Sequence, residues 1–504
     1  MATSCRLLQQ RVKPCRCGNK EQDLKGQTVV VVGLGKSGRS AARLALARGA
    51  AVLAVDGNEK MVPLEHDPLF ADHANVQTIL GYNEDTLPAA DRVVVSPGVP
   101  IERYSLSALL RSGRQVMSEL EFAAETLPAE VKVLAVSGTN GKSTVTTFAW
   151  QMLHHLGIEA FAGGNLGVPL SEAALEYFKS SSAHEVFQVA VVEVSSSQME
   201  IPNRHFCPSV SVVLNLTPDH LERHKTMQNY AEMKCRLFSN MRHDRLAVLP
   251  TGNEYLEKAF CNYASKCNVA RIGSFPGIKV DMDARVADFH FPNKYCAQLQ
   301  LKDLKAIGEH NYQNAAVSAF AVIGLDVGIN TDLMDGIVGR LTLLHHRVQV
   351  VCRDTNGVTW VDDSKATNVE ATYTALMGLK EHKLIVLLGG LAKVVSPEIS
   401  SGFEQLVEPL KHHRAVVTFG YSGGPIHETL CHGGLTIPCV RATNLEDAVN
   451  HARCIAQHGD TVILSPGCAS FDEFRNFEHR GMVFQELALS MQKGNAQPFM
   501  GGRP

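Results

Sequence analysis

The chain carries no excess of charge of either sign: 48 Lys and Arg stand against 51 Asp and Glu, a formal charge of -3. That balance lacks the basic footprint of a nucleic-acid-binding protein, so a polyphosphate ligand has to be held locally, by backbone amides, a few cations and a metal. Long apolar runs are absent as well. Stretches such as 28–32 and 384–388 are of strand length, far short of the roughly 20 residues that cross a bilayer, and no membrane span is expected. The 13 cysteines are scattered without a paired CxxC. This indicates neither a structural zinc site nor a disulfide framework, and it makes a reducing compartment the default. No internal repeat and no low-complexity linker breaks the chain.

What is present is an ordinary globular composition, 45% hydrophobic and 20% charged over 504 residues, long enough for about three domains. Short β-branched runs at 28–32, 51–55, 92–96, 131–136, 189–194, 209–215, 358–361, 384–388, 415–419 and 461–465 alternate with helix-length amphipathic segments. Alternation of this kind means α/β domains with mostly parallel, doubly wound sheets. The motifs set the expected boundaries: a Rossmann-like domain at 23–130, a central phosphate-loop domain at 131–344, a second Rossmann-like domain at 345–494 and a Gly/Pro-containing tail at 495–504. Residues 1–22 hold Arg6, Arg11, Lys13, Arg16 and Lys20 against the single acid Glu21 just inside the leader boundary. That bias resembles an organelle transit peptide and points to a plastid; the other reading is a plain basic tail on a cytoplasmic protein.

The run 28–32 leads into Gly33-Leu34-Gly35-Lys36-Ser37-Gly38 and then a helical segment. Glycines there let a backbone approach a diphosphate, the following helix N-terminus adds amides, and Asp56 ends the second strand where the fingerprint places an acid that contacts a ribose. Taken alone this motif reads as an NAD-dependent dehydrogenase, or as a glycine turn that only packs a helix on a sheet. A second loop argues against the dehydrogenase. After 131–136 comes Ser137-Gly138-Thr139-Asn140-Gly141-Lys142-Ser143-Thr144 and a helix reaching about His155. Such a loop cradles a triphosphate, with Lys142 reaching the β and γ phosphates and Ser143 or Thr144 offering a hydroxyl to magnesium. It departs from the usual pattern in having Val136 where the first glycine belongs.

Three further residues invite both a functional and a structural reading. Glu193 ends a strand before Ser195-Ser196-Ser197-Gln198 and can hold magnesium opposite the loop, or be a paired structural carboxylate. His220 follows the next strand and, alone, is more simply structural. Lys234, in the helical Tyr230-Ala231-Glu232-Met233-Lys234, reads by composition as a solvated helix face.

The loop form Gly138-Thr139-Asn140-Gly141-Lys142-Ser143-Thr144 resembles that of the Mur ligase superfamily, and the resemblance runs over about residues 24–494. Two C-terminal motifs resemble its D-glutamate-adding branch: Asp362-Asp363-Ser364-Lys365-Ala366-Thr367-Asn368, and Cys468-Ala469-Ser470-Phe471-Asp472-Glu473-Phe474-Arg475-Asn476-Phe477-Glu478-His479-Arg480-Gly481. The resemblance implies an ATP- and magnesium-dependent ligase that joins D-glutamate to UDP-N-acetylmuramoyl-L-alanine through an acyl phosphate, in peptidoglycan precursor synthesis. It implies catalytic roles for Lys142, Glu193, His220 and Lys234, with Glu193, His220, Ser143, Thr144 and a carbamylated Lys234 as metal ligands. Asn311, Asn314, His346, Arg347 and Asp363 would join the loop in holding ATP, although asparagines at a helix start are also good caps. The UDP-substrate would meet Gly33 to Gly38, Asp56, Ser96 and Asn165, the last in a glycine loop expected between two helices, where it is otherwise only a turn. D-Glutamate, a dianion, would meet Lys365, Thr367, Lys393, Ser470, Phe471 and Phe477. A monomer is expected. Two departures from the family pattern stand out: Leu344-His345 replaces the proline before His346-Arg347, and Gly390-Leu391-Ala392-Lys393 differs from the commoner bacterial loop. Rival readings are a sibling ligase resembling folylpolyglutamate synthase, the dehydrogenase, and a non-catalytic relative.

Overall fold

A computed structural model describes residues 23–82, 86–113, 115–165, 167–180, 186–292, 296–306, 308–392 and 402–490. The leader 1–22, the tail 495–504 and Lys393 lie outside the described residues. The chain divides into two compact units. One is Met1–Val131 with Gly167–Gln188 and Glu200–Phe206; the other is Lys132–Leu166, Val189–Met199 and Cys207–Pro504. The expected first domain therefore gains two excursions from the following segment, and the second and third sheets fall in one unit.

The first unit is built on β1 (Thr28–Val32), β2 (Ala51–Asp56), β3 (Val76–Leu80), β4 (Arg92–Val95) and β5 (Val116–Ser118), all parallel in the order β3-β2-β1-β4-β5. Sequence order reverses at β1, so the loops after β1 and β4 open on the crevice where such sheets take ligands. Val30, Val32, Val93 and Val95 pack one face with Tyr82, Tyr104 and Leu106.

The second unit holds two sheets. The first of them runs through β6 (Lys132–Ser137), β7 (Ala160–Gly164), β8 (Val189–Glu193), β9 (Val210–Val213), β10 (Leu246–Pro250), β11 (Asn268–Ile272), β12 (Gly277–Asp281), β13 (Val286–His290) and β14 (Cys296–Gln300), in the order β14-β13-β12-β11-β10-β9-β6-β8-β7. It is parallel up to β12 and antiparallel beyond. β6 lies between β8 and β9, which brings the loops after all three to one edge. Helices Lys142–His155 and His310–Gly324 bury Phe148, Met152, Phe320 and Val317 against it.

The other sheet comprises β15 (Gln349–Arg353), β16 (Thr359–Asp362), β17 (Leu384–Gly389), β18 (Ala415–Phe419), β19 (Cys439–Arg441) and β20 (Thr461–Leu464), ordered β15-β16-β20-β17-β18-β19 with only β15 antiparallel. Alternation along β17 serves two cores: Leu384, Val386 and Leu388 face one, Ile385 and Leu387 the other. A strand buried on both faces reads as the unbroken apolar run that the sequence carries.

One sequence expectation is corrected here. The glycine loop at 163–169 does not join two helices; Ala160–Gly164 is β7, paired with β8, and the chain then enters the helix Leu170–Lys179. Gly164 makes the exit, at φ +93°, where an added Cβ would stand 2.5 Å from the Glu193 carbonyl.

Candidate active site

The phosphate loop leaves β6 through two glycines in the left-handed half of backbone space, Gly138 at φ +144° and Gly141 at φ +84°. Asn215, from the loop after β9, fixes its shape: Oδ1 accepts from the amides of Thr139 at 3.0 Å and Asn140 at 2.9 Å, and Nδ2 donates to the Asn140 carbonyl at 3.1 Å. Lys142 Nζ donates to the carbonyls of Gly138 at 2.9 Å and Thr139 at 2.7 Å. Ser143 and Thr144 are buried in the first turn of the helix.

Lys234 is not on a solvated face. Its residue is 1% exposed, its Nζ donates to the Gly138 carbonyl at 2.8 Å, and the ammonium lies 4.3 Å from the Tyr230 ring centre. Burial, reinforced by the nearby Lys142 cation, pushes its pKa well below the usual lysine value. Asn165 Nδ2 donates to Glu193 Oε1 at 2.8 Å. Glu193 Oε2 and Thr144 Oγ1 are both buried with no hydrogen-bond partner among the described residues. A buried carboxylate oxygen and hydroxyl left so are costly unless a further group serves them, and a hard oxygen-seeking cation such as magnesium suits that donor set. His220 is half exposed at φ +52°, beside Asp219 with Nε2 and Oδ2 3.7 Å apart.

The ATP candidates separate. Asn140, Gly141, Asn314, Arg347 and Asp363 line one cleft, together with His310, Gln313, Glu370 and Thr374. Asn311 is buried and accepts from Asn314 Nδ2 at 3.1 Å, so it braces the cleft residue. His346 is not among the cleft residues; its Nδ1 meets Asp362 Oδ2 at 2.6 Å. It takes φ +62° and Val348 φ +44°, two strained non-glycine residues on either side of Arg347. Burial raises the Asp363 carboxyl to about 7, against the pull of Arg347, and lowers His310 to about 4 with help from the same guanidinium.

The loops after β16 and β20 meet because those strands are neighbours. Arg480, fully buried, joins them, donating to Ser364 Oγ at 2.9 Å, the Ser364 carbonyl at 2.8 Å and the Cys468 carbonyl at 3.1 Å. Lys365 lies with its ammonium 5.4 Å from the Phe477 ring centre, and burial first, then Arg347, lowers it to about 8. Thr367 follows on the same loop, its amide donating to the Lys365 carbonyl at 2.9 Å. Ser470 is buried, whereas Phe471 is 70% exposed.

In the first unit Gly33 takes φ +85°, and Ser96 Oγ donates to its carbonyl at 2.7 Å. Asp56 accepts from the amides of Leu34 at 2.7 Å and Asn58 at 2.8 Å, so it holds the glycine turn itself. Lys36 is exposed and Ser37 half-buried, while Gly35 has open space around it. Asn165 belongs to the other unit. Sequence reasoning passed over Asn215, Asp219, Arg480 and His224, whose Nε2 lies 2.8 Å from Ser196 Oγ. Asn215 ends the apolar run 209–215, Asp219 directly precedes His220, and Arg480 stands in the quoted C-terminal motif, which was the available signal.

Three family models match in succession: "Mur ligase MurD-like, N-terminal domain" over 27–118, "Mur ligase middle domain" over 136–322 and "Mur ligase, glutamate ligase domain" over 346–468. The chain is 34% identical over 478 residues to the UDP-N-acetylmuramoylalanine–D-glutamate ligase of Koribacter versatilis, covering 93% of this chain and 98% of that one. With the ligase of the same name from Pelotomaculum thermopropionicum it shares 34% over 478 residues, 94% of this chain and all of that one. Among solved structures it resembles MurF ligase from Thermotoga maritima in complex with ADP, with TM-score 0.56, 18% identity and coverage of 94% and 97%. MurC from the same organism gives TM-score 0.54 at 18% identity, covering 92% and 100%; at such identity both speak for the fold. Three α/β domains with a phosphate loop opening the second define the class, a Mur-type ligase architecture. The chain belongs to the Mur ligase family, in its UDP-N-acetylmuramoylalanine–D-glutamate ligase branch.

Proposed function

We propose that the protein joins D-glutamate to UDP-N-acetylmuramoyl-L-alanine at the expense of ATP, in peptidoglycan precursor synthesis, with domains at 23–130, 131–344 and 345–494. The observation that carries the reading is the gathering, within one unit, of the Lys142 loop, the unpartnered Glu193 oxygen and the cation-bearing Lys365 loop. Relatives matched over nearly their full length bear that activity as their name.

Forming an amide from a carboxylate and an amine is uphill in water, so the carboxylate must first be activated. The alanyl carboxylate oxygen attacks the γ-phosphorus of ATP, the bond to the β-phosphate oxygen breaks, and ADP leaves. The D-glutamate nitrogen then attacks the acyl carbon, phosphate departs with the bonding pair, and the amine loses its proton. Lys142 and the loop amides of Gly138 to Thr144 meet the charge spreading over the phosphoryl oxygens. Magnesium, held by Ser143 or Thr144, Glu193 and His220, would neutralise the same charge. Asn314, Arg347 and Asp363 hold the nucleotide, with Asn311 and His346 behind them. The residues for the UDP-substrate are Gly33 to Gly38, Asp56, Ser96 and Asn165. Lys365, Thr367, Ser470 and Phe477, with Lys393 and Phe471, hold D-glutamate.

Lys234 serves as a second metal ligand once carbamylated: a buried neutral amine is the form that adds carbon dioxide, and its depressed pKa supports this. Carbon-13 NMR after labelling with bicarbonate tests it, and no carbamate signal would refute it. The proposal takes the chain as a monomer, which sedimentation checks. From the basic bias of residues 1–22 alone we also propose a plastid leader; a cytosolic signal from a reporter fused to that segment would leave a cytoplasmic enzyme.

ADP release measured with the UDP-substrate and a panel of amino acids tests the whole reading. ADP that depends on D-glutamate is expected; ADP formed only with another amino acid would move the chain to a sibling activity, and none at all would overturn it.

A further inference from the structure

The helix Gly423–His432 and the edge strand β19 bring three soft ligands together away from the loops described above. His427 and Cys431 are four residues apart and share a helix face, and Cys439 opens β19, in register with Val416 of β18. One ligand atom from each of the three lies within 4.8 Å of the others. Cys431 Sγ stands 3.8 Å from His427 Nε2 and 3.9 Å from Nδ1. A tetrahedral zinc site, with Zn–S about 2.3 Å and Zn–N about 2.0 Å, sets sulfur–nitrogen separations near about 3.6 Å and sulfur–sulfur near about 3.8 Å. Side-chain rotation therefore suffices to close it.

The ring is also oriented. His427 Nε2 meets the Cys439 carbonyl at 3.3 Å, the outer hydrogen bond that fixes a ligating imidazole's tautomer and leaves Nδ1 for the ion. Cys431 is exposed and the other two half-buried, so water has room as fourth ligand. His427 and Cys431 already share a helix face, and Cys439 joins them because the chain returns along the helix to begin β19.

We propose that His427, Cys431 and Cys439 form a surface site for a zinc-class divalent cation. Both thiols give up their protons to solvent on binding. The triad lies where β19 begins, at the opposite end of the parallel strands from the loops that leave the C-terminal ends of β16, β17 and β20. The cation thus ties the helix to the sheet edge and takes no part in ligation.

Cobalt(II), titrated into the reduced full-length protein, is the probe. Thiolate-to-cobalt charge-transfer absorption with strong tetrahedral d–d bands is expected for one equivalent; cobalt at an oxygen-lined magnesium site gives neither. Cys431→Ser, which leaves Cys439 as the one thiolate, should at least halve the charge-transfer band, His427→Ala should weaken cobalt binding at least tenfold, and zinc should raise the melting temperature of the parent more than that of Cys431→Ser. Absence of the band, or a band unchanged in Cys431→Ser, which keeps every other cysteine, would overturn the proposal.

Discussion

The side-chain amide of Asn368 donates to Asp219 Oδ2 at 3.0 Å, and so ties the loop after β16 to the loop that carries His220. The same side chain caps the helix Val369–Gly378, its Oδ1 accepting from the Ala371 amide at 2.8 Å. The two duties separate by substitution. Asn368→Asp keeps the cap and sets a carboxylate against that of Asp219, so turnover should fall at least tenfold with little change in melting temperature. Asn368→Ala loses both, and should add a stability loss of about 1 kcal/mol. Equal turnover in Asn368→Asp and the parent would show that the bridge has no part in bringing the two loops together.

Lys142→Ala should reduce D-glutamate-dependent ADP release by about two to three orders of magnitude, the usual cost of deleting a preorganised partner for developing negative charge. Its Nζ donates to the Gly138 and Thr139 carbonyls of its own loop, and the melting temperature should fall by no more than a few degrees. Near-normal turnover would remove the assigned triphosphate site.

How much of this was legible beforehand follows from burial. The runs that became β1, β6, β8, β9, β17, β18 and β20 are strands inside their sheets, covered on both faces, and they read as unbroken apolar segments. The strands that escaped notice include sheet edges such as Cys296–Gln300, where only Leu299 is buried, and Cys439–Arg441, with no buried residue. The site divides in the same way. Lys142, Glu193 and Lys365 sit in local motifs that announce phosphate and carboxylate chemistry. The burial of Lys234, which makes it more than a helix-face cation, depends on the Gly138 carbonyl 96 residues away. Arg480 acts by reaching Ser364 and Cys468, contacts that no local spacing encodes.

Glu119 gives the first unit a pH dependence. Burial raises its carboxyl from 4.5 to about 7 although the Ser171 amide donates to Oε1 at 2.6 Å, and Oε2 is buried without a partner among the described residues. Between those two values the folded protein holds a proton that the unfolded chain has released. Its contribution is therefore fully present below about pH 4.5, fades as pH rises, and is lost above about pH 7. Glu119→Gln keeps an acceptor for Ser171 and cannot ionise. Urea midpoints should show the variant gaining up to about 3 kcal/mol over the parent at pH 8, with the gap closing towards pH 5. A gap independent of pH would mean that Glu119 is not the titrating group.

The glycine turn offers a sharper separation, because its glycines do different work. A Cβ on Gly38 would stand 1.8 Å from the Gly33 carbonyl oxygen, a backbone atom that cannot move aside cheaply. Gly38→Ala should lose stability on the order of 3 kcal/mol. Gly35 has φ -65°, which any residue adopts, and no atom of the described residues within 4 Å of its would-be Cβ. Its glycine serves no packing purpose, and the remaining reason for it is the approach of a diphosphate to the backbone. Gly35→Ala should therefore melt within about a degree or two of the parent, a surface change costing roughly 0.5 kcal/mol or less, while binding of the UDP-substrate weakens at least tenfold by calorimetry. Unchanged affinity in Gly35→Ala would place the nucleotide elsewhere on this unit and leave Gly38 as a purely structural glycine.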